Sequence, residues 1–505
     1  MENNMVKVLI WGQEVGVMYW DTFSRRAIFE YSIDFLRTGM DIAPLIASIK
    51  SIAAKKPIYG NKEKIYQGLP PFITDSLPDK WGNRVFEHWA KLNGIKSSDI
   101  TPVDKLLFIG SRGMGALQFE PAVELQDDTK NLHINELYTL AQRIFDERAE
   151  VSVLPEESIT MQQLYAVGTS AGGQHPKAIL AINTQTGEIR SGQLDWPKDY
   201  KYYILKFAEN VNFPHTQVEM AYYNMATAMG VDMMPSQLIS IDGQHHFLTE
   251  RYDRQNGERI HTQTLAAMSE TACSYEDLLM TARRLDISQM QQEQLFKRMV
   301  MNVLGGNVDD HTKNFAFMLP KNGDWQITPA YDVTFTVDVN AMHYANYHNL
   351  SVRGKVTNIT EKDLLAFAKD NSIKNAVVII DEVANVLATC WTYLTNAGVS
   401  RYWADRIEAY VAELLPDRYR KEMKHYLPTI LDQYVCENGT VLNDISIRET
   451  RNGELMLTAI VEGKEKRHLF DKKSKELQEI RQIGWIHLSK EDLVKYAMVL
   501  VSVDN

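Results

Sequence analysis

Residues 305–333 have the sequence GGNVDDHTKNFAFMLPKNGDWQITPAYDV. Its apolar run FAFML leaves a polar loop, and the run WQIT follows after the turn pair Asn322-Gly323. Asn-Gly between two such runs is a strong hairpin signal, and a hairpin brings the chain back to its starting point. We therefore expect Asn314, at the start of the hairpin, and Asp332, just past its end, to be neighbours.

Side chains converging in this way, together with the carboxylate of Asp309, fit phosphoryl transfer. That reaction needs a carboxylate that orients and deprotonates a hydroxyl, and hard oxygen ligands for Mg²⁺ on the nucleotide phosphates. Asp309 is therefore the predicted base, and Asn314 and Asp332 are the predicted magnesium ligands. The alternative is a polar turn without chemistry, or a loop that binds a structural ion. Protein kinases have the same order of loop, asparagine, hairpin and aspartate, although H-R-D and D-F-G are absent here.

The polar loop resembles the signature of a known family. Asn307, Asp309, His311, Lys313 and Asn314 form the pattern N-x-D-x-H-x-K-N, which is similar to that of HipA-like kinases. Each residue type accounts for roughly one residue in twenty, so chance agreement at five positions is about one in a few million. The resemblance implies ATP and Mg²⁺ as cofactors, and it places His311 and Lys313 at the nucleotide. A neutral His311 that bonds only within the loop is the alternative.

A glycine-rich segment, GTSAGGQHPK at residues 168–177, precedes the strand AILAIN. It resembles the family's loop that approaches the nucleotide phosphates, which implies that Gly172, Gly173 and Lys177 lie near them. In the family a serine of this loop can be phosphorylated by the kinase itself, so Thr169 and Ser170 are the matching autophosphorylation candidates. A plain hairpin loop is the alternative, because glycine-rich turns between strands are common.

Lys206 lies in the middle of the predicted strand KYYILKF among apolar neighbours, where an ammonium costs desolvation unless a charge meets it. The resemblance implies that Lys206 contacts the nucleotide and that Glu219, on the following helix, pairs with it. Two alternatives stay open. Lys206 could snorkel at a sheet edge, and Glu219 could form a capping box with Thr216, three residues earlier.

The segment TERYDR, residues 249–254, ends a predicted hairpin whose turn is Asp242-Gly243. It resembles the family's hinge, which implies that Glu250 and the backbone near Tyr252 contact the adenine. The alternative is a strand end with solvated charges.

A further resemblance covers GLPPFITDSLPDKWGNRV, residues 68–85, which is similar to the family's N-terminal motif. Three features depart from the family pattern. Asp310 stands where a basic or small residue is expected, and this extra negative charge is able to alter substrate choice. The segment HTQTLAAM after the hinge replaces a more acidic one, and the tail from about Leu431 has no recognised counterpart.

The expected fold class is α+β, a two-lobed protein-kinase-like (HipA-like) fold with a small C-terminal α+β appendage. Residues 1–254 are expected to form a mixed α/β N-lobe, with a first subdomain at about 1–120 and a nucleotide-binding part at about 160–254. Residues 255–430 are expected to form a helical C-lobe with the catalytic loop, and 431–505 an accessory module of unknown role. The runs KVLIWG, EVGVMYW and AIFEYSI predict an antiparallel meander at the amino terminus.

The chain carries 54 Lys and Arg against 65 Asp and Glu, and this net charge of -11 disfavours broad wrapping of nucleic acid by the chain alone. The resemblance implies a toxin with a HipB-like DNA-binding antitoxin as partner, so contact with DNA is expected only through that partner. Three distant cysteines predict neither disulfides nor a zinc site, and no run of 18 apolar residues occurs. A cytoplasmic protein without membrane contact is therefore expected.

The predicted function is that of an ATP-dependent serine/threonine protein kinase. The resemblance implies a protein substrate, a translation component such as an aminoacyl-tRNA synthetase. Two alternatives stay open: a small-molecule kinase, and a non-catalytic ATP-binding co-repressor or scaffold. The complete set of Asp309, Asn314 and Asp332 argues against a scaffold, because ATP sensing does not need all three.

Overall fold

The structure is a computed structural model. It describes residues 5–123, 132, 134–146, 164–165, 168, 175–209, 213–338, 346–420, 423, 431–436, 439–449, 454–471, 473–483 and 490–502.

The first subdomain is built on the predicted meander, whose strands pair in antiparallel fashion in the sheet order β4-β3-β2-β1-β5. Alternating apolar residues of β1 such as Val6, Val8 and Ile10 point into a core that the helices cover. Its elements are β1 Met5–Ile10, β2 Gln13–Asp21, β3 Arg26–Tyr31, α1 Ile33–Thr38, β4 Ile58–Tyr59, α2 Pro71–Thr74, α3 Lys80–Leu92, α4 Pro102–Ile109 and β5 Leu117–Glu120, with short 3-10 turns at Ile52–Lys55 and Ser97–Asp99.

A second antiparallel sheet, in the order β7-β6-β8-β10-β9, forms the predicted nucleotide-binding part. The turn residues Asp242 and Gly243 both have positive φ, 50° and 77°, as a two-residue hairpin turn requires. This confirms the predicted hairpin. The elements are α5 Ile134–Asp146, β6 Lys177–Asn183, β7 Ile189–Ser191, β8 Tyr200–Lys206, α6 His215–Ala228, β9 Ser236–Ile241 and β10 Gln244–Glu250.

Helices dominate the next part of the chain, which encloses the largest core. Two small sheets accompany them, β11-β12 and β13-β14-β15. The elements are β11 Arg254–Gln255, β12 Glu258–Arg259, β13 His261–Thr264, α7 Leu265–Met268, α8 Tyr275–Arg284, α9 Gln289–Gly305, β14 Ala316–Leu319, β15 Gln326–Ile327, α10 Glu361–Asp370, α11 Ala376–Leu387, α12 Cys390–Asn396, α13 Arg401–Leu414 and α14 Asp417–Arg420.

The tail folds around a core of its own, with an antiparallel sheet in the order β16-β17-β18-β19. Its elements are β16 Leu431–Val435, β17 Val441–Glu449, β18 Leu455–Val461, β19 Lys464–Leu469, α15 Lys475–Ile483, α16 Lys490–Ala497 and α17 Val499–Ser502.

Helix α6 differs from the expected division of the chain into lobes. It lies within the segment predicted for the N-lobe, but Val218, Tyr222 and Met225 are fully buried in the core of the helical part. The reason is that α6 contacts both β9 and β10 of the sheet and helices α11 and α12 of the helical part.

Among the described residues, no single helix is both long and apolar enough to cross a membrane. Helices α11 and α12 pass that test only as a pair, and the chain bends by 49° between them.

Candidate active site

Helix α9 delivers the chain to the candidate site and ends at Gly305, with Gly306 as its C-cap. Gly306 has φ 71°, and a Cβ at this position would lie 2.9 Å from the ring of Phe335. Left-handed backbone and close approach both favour glycine here. The chain therefore turns sharply into the polar loop 307–314, which we call the catalytic loop.

Thr336 fixes the first part of the catalytic loop. Its hydroxyl oxygen accepts hydrogen bonds from the backbone N–H groups of Val308 at 2.8 Å and Asp309 at 3.0 Å. The same hydroxyl donates to Oδ1 of Asn307 at 3.2 Å, and Asn307 is buried. The backbone of Asp309 is thus held by Thr336, which lies four positions after Asp332.

Asp309 presents its carboxylate at the surface of the loop, with 59% of the side chain exposed. Partial burial and the charges of Asp332 and Asp310 raise its pKa, while His311, whose Nε2 lies 3.9 Å from Oδ1, opposes the shift. An exposed carboxylate with a raised pKa is suited to accepting a proton from a substrate hydroxyl.

Asp310 is held by partners from outside the catalytic loop. Its carboxylate is buried and accepts hydrogen bonds from the Tyr275 hydroxyl at 2.6 Å, the His348 ring at 2.8 Å and the Asn349 backbone N–H at 2.7 Å. Because the Asp310 carboxylate is buried, it adds no exposed charge to the loop, and its effect on substrate choice stays a prediction. Local sequence does not distinguish it from Asp309, because both are carboxylates in a polar loop and only tertiary partners separate them.

The predicted hairpin is present and closes at its base. Strands β14 and β15 pair Phe317 with Ile327, and the Tyr331 hydroxyl donates to the carbonyl oxygen of Lys313 at 2.8 Å. The side chain of Tyr331, the residue before Asp332, therefore reaches back to the start of the hairpin. Lys313 itself is exposed.

Asn314 is oriented by the loop around it. Its Nδ2 donates to the carbonyl oxygen of Asp309 at 2.8 Å. Its backbone N–H donates to the carbonyl oxygen of His311 at 2.9 Å. These contacts use the amide nitrogen and leave the side-chain oxygen as the group that can bind a cation.

Lys206, Glu219 and Asp332 form the central charge cluster of the site. The ammonium of Lys206 donates to Glu219 Oε1 at 2.6 Å and also to Asp332 Oδ1, and these side chains are 17%, 12% and 31% exposed. The predicted pairing of Lys206 with Glu219 is confirmed. Because α6 begins after Pro214 and the Thr216 hydroxyl donates to the carbonyl oxygen of His245 at 2.6 Å, the alternative capping box is wrong.

The pKa shifts in this cluster follow from burial and pairing. Burial disfavours the Lys206 ammonium, but Asp332 and Glu219 outweigh it and raise the pKa of Lys206. Burial raises the pKa of Glu219, whereas at Asp332 the attraction of Lys206 outweighs burial and lowers the pKa. Asp332 also has φ 51°, an uncommon backbone for a residue other than glycine, of a kind that clusters at functional sites.

Lys177 lies directly opposite Lys206 on the neighbouring strand, and it is 2% exposed. Like charges opposite each other destabilise a sheet unless each is compensated. Asp79 compensates Lys177, with Oδ2 3.0 Å from the ammonium, and its Oδ1 caps α3 through the Gly82 N–H. Trp81 donates from Nε1 to the Lys177 carbonyl oxygen at 3.0 Å. The motif L-P-D-x-W-G thus holds the start of β6, a role that sequence reasoning missed.

Glu250 and Tyr252 lie at the end of β10. The Glu250 carboxylate pairs with Lys201 at 2.9 Å, so its charge has a partner on the sheet. Tyr252 stacks on Tyr331, with ring centroids 5.9 Å apart and 22° between the planes. This stack joins the predicted hinge to the residue that precedes Asp332.

Sequence reasoning also missed the buried charges in TERYDR. Arg251 holds the Asp253 carboxylate through two hydrogen bonds of 2.9 and 2.8 Å, and Arg254 adds a third at 2.8 Å. Arg254 also donates to the carbonyl oxygens of Gly113 and Gly115. Despite burial, the two arginines lower the pKa of Asp253. These residues attach the first subdomain to the predicted hinge.

Four predicted residues, Thr169, Ser170, Gly172 and Gly173, lie outside the described residues. Within the described part of the chain, no three or more His, Cys, Asp or Glu side chains are arranged to hold a metal ion. The oxygen donors Asp332 and Asn314 still fit Mg²⁺, which commonly binds to one or two carboxylates and completes its shell with phosphates and water.

The fold and the site together define a two-lobed kinase-like protein, and comparison with known proteins identifies its family. The HipA N-terminal domain matches residues 6–120, and the HipA-like C-terminal domain matches residues 169–391. The chain belongs to the HipA-like kinase family. This confirms the resemblance found in the catalytic loop.

Individual relatives agree with this assignment. HipA of Shewanella oneidensis MR-1, solved with HipB and operator DNA, has a TM-score of 0.56 at 15% identity and covers 82% of this chain and 99% of that chain. The likeness shows the fold. A "Putative kinase" of Haemophilus influenzae is 27% identical over 35% of this chain, which spans about half (55%) of that protein. "Putative kinase Y4mE" of Sinorhizobium fredii is 24% identical over 66% of this chain and 82% of its own length.

Proposed function

We propose that the chain is an ATP-dependent protein kinase that phosphorylates serine or threonine hydroxyls. The observation that carries the proposal is the ion-paired cluster of Lys206, Glu219 and Asp332 beside a loop that exposes Asp309. A lysine held by a helix carboxylate, a metal-binding aspartate and a surface carboxylate are the parts that phosphoryl transfer uses.

Each side chain has a role that follows from its position. Asp309 orients the attacking hydroxyl and accepts its proton, since its carboxylate is exposed and its pKa is raised. Asn314 and Asp332 are the residues that would hold Mg²⁺. When bound, the ion neutralises charge on the phosphates. His311 and Lys313 flank Asp309 in the catalytic loop.

The nucleotide is proposed to bind between the sheet β6–β10 and the catalytic loop. Lys206 contacts its phosphates, and the buried pair Lys177–Asp79 holds the start of the neighbouring strand β6. Glu250 and the backbone near Tyr252 contact the adenine. Because Tyr252 stacks on Tyr331, a nucleotide bound at the hinge would also fix the position of Tyr331, the residue before Asp332.

We further propose that the chain acts as a toxin with a HipB-like antitoxin as its partner. The Shewanella HipA that shares this fold was solved with HipB and operator DNA. The net charge of -11 favours binding of DNA through a basic partner over direct contact. The proposed substrate is a protein of the translation machinery.

Mass spectrometry of the purified chain after incubation with Mg-ATP tests the kinase proposal. We expect phosphate on Thr169 or Ser170, and none when Mg²⁺ is removed by chelation. Autophosphorylation of this loop separates a protein kinase from a small-molecule kinase, because the acceptor is the protein itself. Retention of ATP without any phosphorylated residue or hydrolysis would instead support a nucleotide-binding scaffold.

A further inference from the structure

The catalytic loop is attached to a segment that follows it in the chain, residues 346–349, which we call the shelf. His348 and Asn349 both contact the carboxylate of Asp310, and Asn349 Nδ2 donates to the carbonyl oxygen of Val308 at 2.9 Å. At its other end, Asn346 exchanges two hydrogen bonds of 3.1 Å with the backbone of Asp338. The shelf is therefore fixed at both ends, and three of its contacts go to the catalytic loop.

A second line of hydrogen bonds leads from Asp310 to the backbone of Asp309 through the helical core. Tyr275, which donates to Asp310, accepts from Asn302 Nδ2 at 3.1 Å, and Asn302 Oδ1 accepts from Asn307 at 3.0 Å. Asn307 in turn bonds to Thr336, which holds the Asp309 N–H. Asp310 is thus connected to Asp309 in two ways, by the peptide bond between them and by this continuous line of hydrogen bonds.

A small cavity lies beside the contacts between the catalytic loop and the shelf. It has about 20 Å³ of free space, roughly room for one water molecule. Residues of both segments and of the helical core line it: Val303, Gly306, Val308, Asn346, His348 and Tyr410. On this side of the loop, the polar contacts of Asp310 add to those that Thr336 makes with the backbone of Val308 and Asp309.

We propose that Asp310 is a positioning residue, which sets the orientation of Asp309 and couples it to the shelf. The inference rests on the proposed kinase function and deepens it. A buried carboxylate with three hydrogen-bond donors resists displacement, because any shift leaves charge unpaired. Asp310 touches neither nucleotide nor substrate hydroxyl, so its loss should reduce the rate of transfer without reducing ATP binding.

Hydrogen exchange of the full chain tests the positioning role without any need for activity. We expect Asp310→Asn to speed amide exchange in peptides that cover residues 306–314, with no change in the tail sheet. Tyr275→Phe removes one donor to the same carboxylate and should give a smaller change in the same peptides. Asp324→Asn, the same substitution at the exposed turn of the hairpin, is the matched control. Unchanged exchange of the catalytic loop in both variants would overturn the proposal.

Kinetics supply the second readout. With ATP and Mg²⁺, Asp310→Asn should lower kcat of autophosphorylation about 10- to 100-fold, since small misplacement of a reacting group has effects of this size. KM for ATP should stay within about 2-fold of the parent. A variant that was generally misfolded would instead bind ATP poorly as well. Equal kcat would overturn the positioning role. If the parent chain transfers no phosphate, the kinase proposal is overturned. The hydrogen-exchange experiment would still decide whether Asp310 positions the loop.

Discussion

Asp309→Asn should lower phosphoryl transfer by about 10³-fold, because loss of a positioned base removes roughly 10²- to 10⁴-fold of rate. The amide keeps the shape of the side chain but cannot accept the hydroxyl proton. Because Asp309 is 59% exposed, the change should alter the free energy of unfolding by less than about 0.5 kcal/mol. Transfer of radioactive phosphate from γ-labelled ATP to the chain itself measures the effect.

The control for this variant is again Asp324→Asn, which changes an exposed aspartate of the adjoining hairpin and should transfer phosphate at the parental rate. ATP affinity should stay close to that of the parent in both variants, since Asp309 does not contact the nucleotide in the proposed arrangement. An Asp309→Asn variant that labels itself as fast as the parent would remove Asp309 from the role of base.

Lys206→Met should reduce both transfer and nucleotide affinity. Removing the ammonium leaves the largely buried carboxylates of Glu219 and Asp332 beside each other without a counter-charge. Buried groups left unpaired cost roughly 1–3 kcal/mol, and we expect a loss of stability of this size. Transfer should fall at least about 100-fold, equivalent to about 2.7 kcal/mol of transition-state stabilisation.

Lys198→Met is the matched control, because Lys198 is exposed just before β8 and its loss leaves no buried carboxylate behind. Thermal unfolding without Mg-ATP measures the loss of stability, and the added stabilisation with Mg-ATP measures nucleotide affinity. Parental stabilisation by Mg-ATP in Lys206→Met would show that Lys206 serves the fold and not the nucleotide.

The turn between β14 and β15 does not have the two-residue Asn-Gly geometry, because Asn322 and Gly323 lack positive φ and the Gly323 N–H donates to the carbonyl oxygen of Pro320 at 3.2 Å. The hairpin itself was predictable, since Asn-Gly between apolar runs indicates that the chain returns. The end of α9 at Gly306 was predictable for a similar reason, since left-handed backbone favours glycine. The pairing of Lys206 with Glu219 was proposed from family resemblance, but spacing alone allowed a capping box with Thr216. Only the tertiary position of α6 decided between them.

Contacts between distant segments account for what the sequence did not reveal. Asp79 meets Lys177 across 98 positions, and Asp310 meets Asn349 across 39. No periodicity in the sequence encodes such pairs, and a buried carboxylate has the same letter as an exposed one. Asp79 stands in the motif L-P-D-x-W-G, but nothing in this motif indicates that its carboxylate pairs with Lys177.

If Asp309, Asn314 and Asp332 surround a single Mg-ATP, a crystal structure with Mg²⁺ and a non-hydrolysable ATP analogue will show all three side chains around the bound nucleotide. We predict a metal ion bound by the side-chain oxygens of Asn314 and Asp332, with Lys206 moved from Asp332 towards a phosphate. The Asp309 carboxylate should face the terminal phosphate across the space for a hydroxyl. A triphosphate bound elsewhere, or a metal ion without either ligand, would contradict the account.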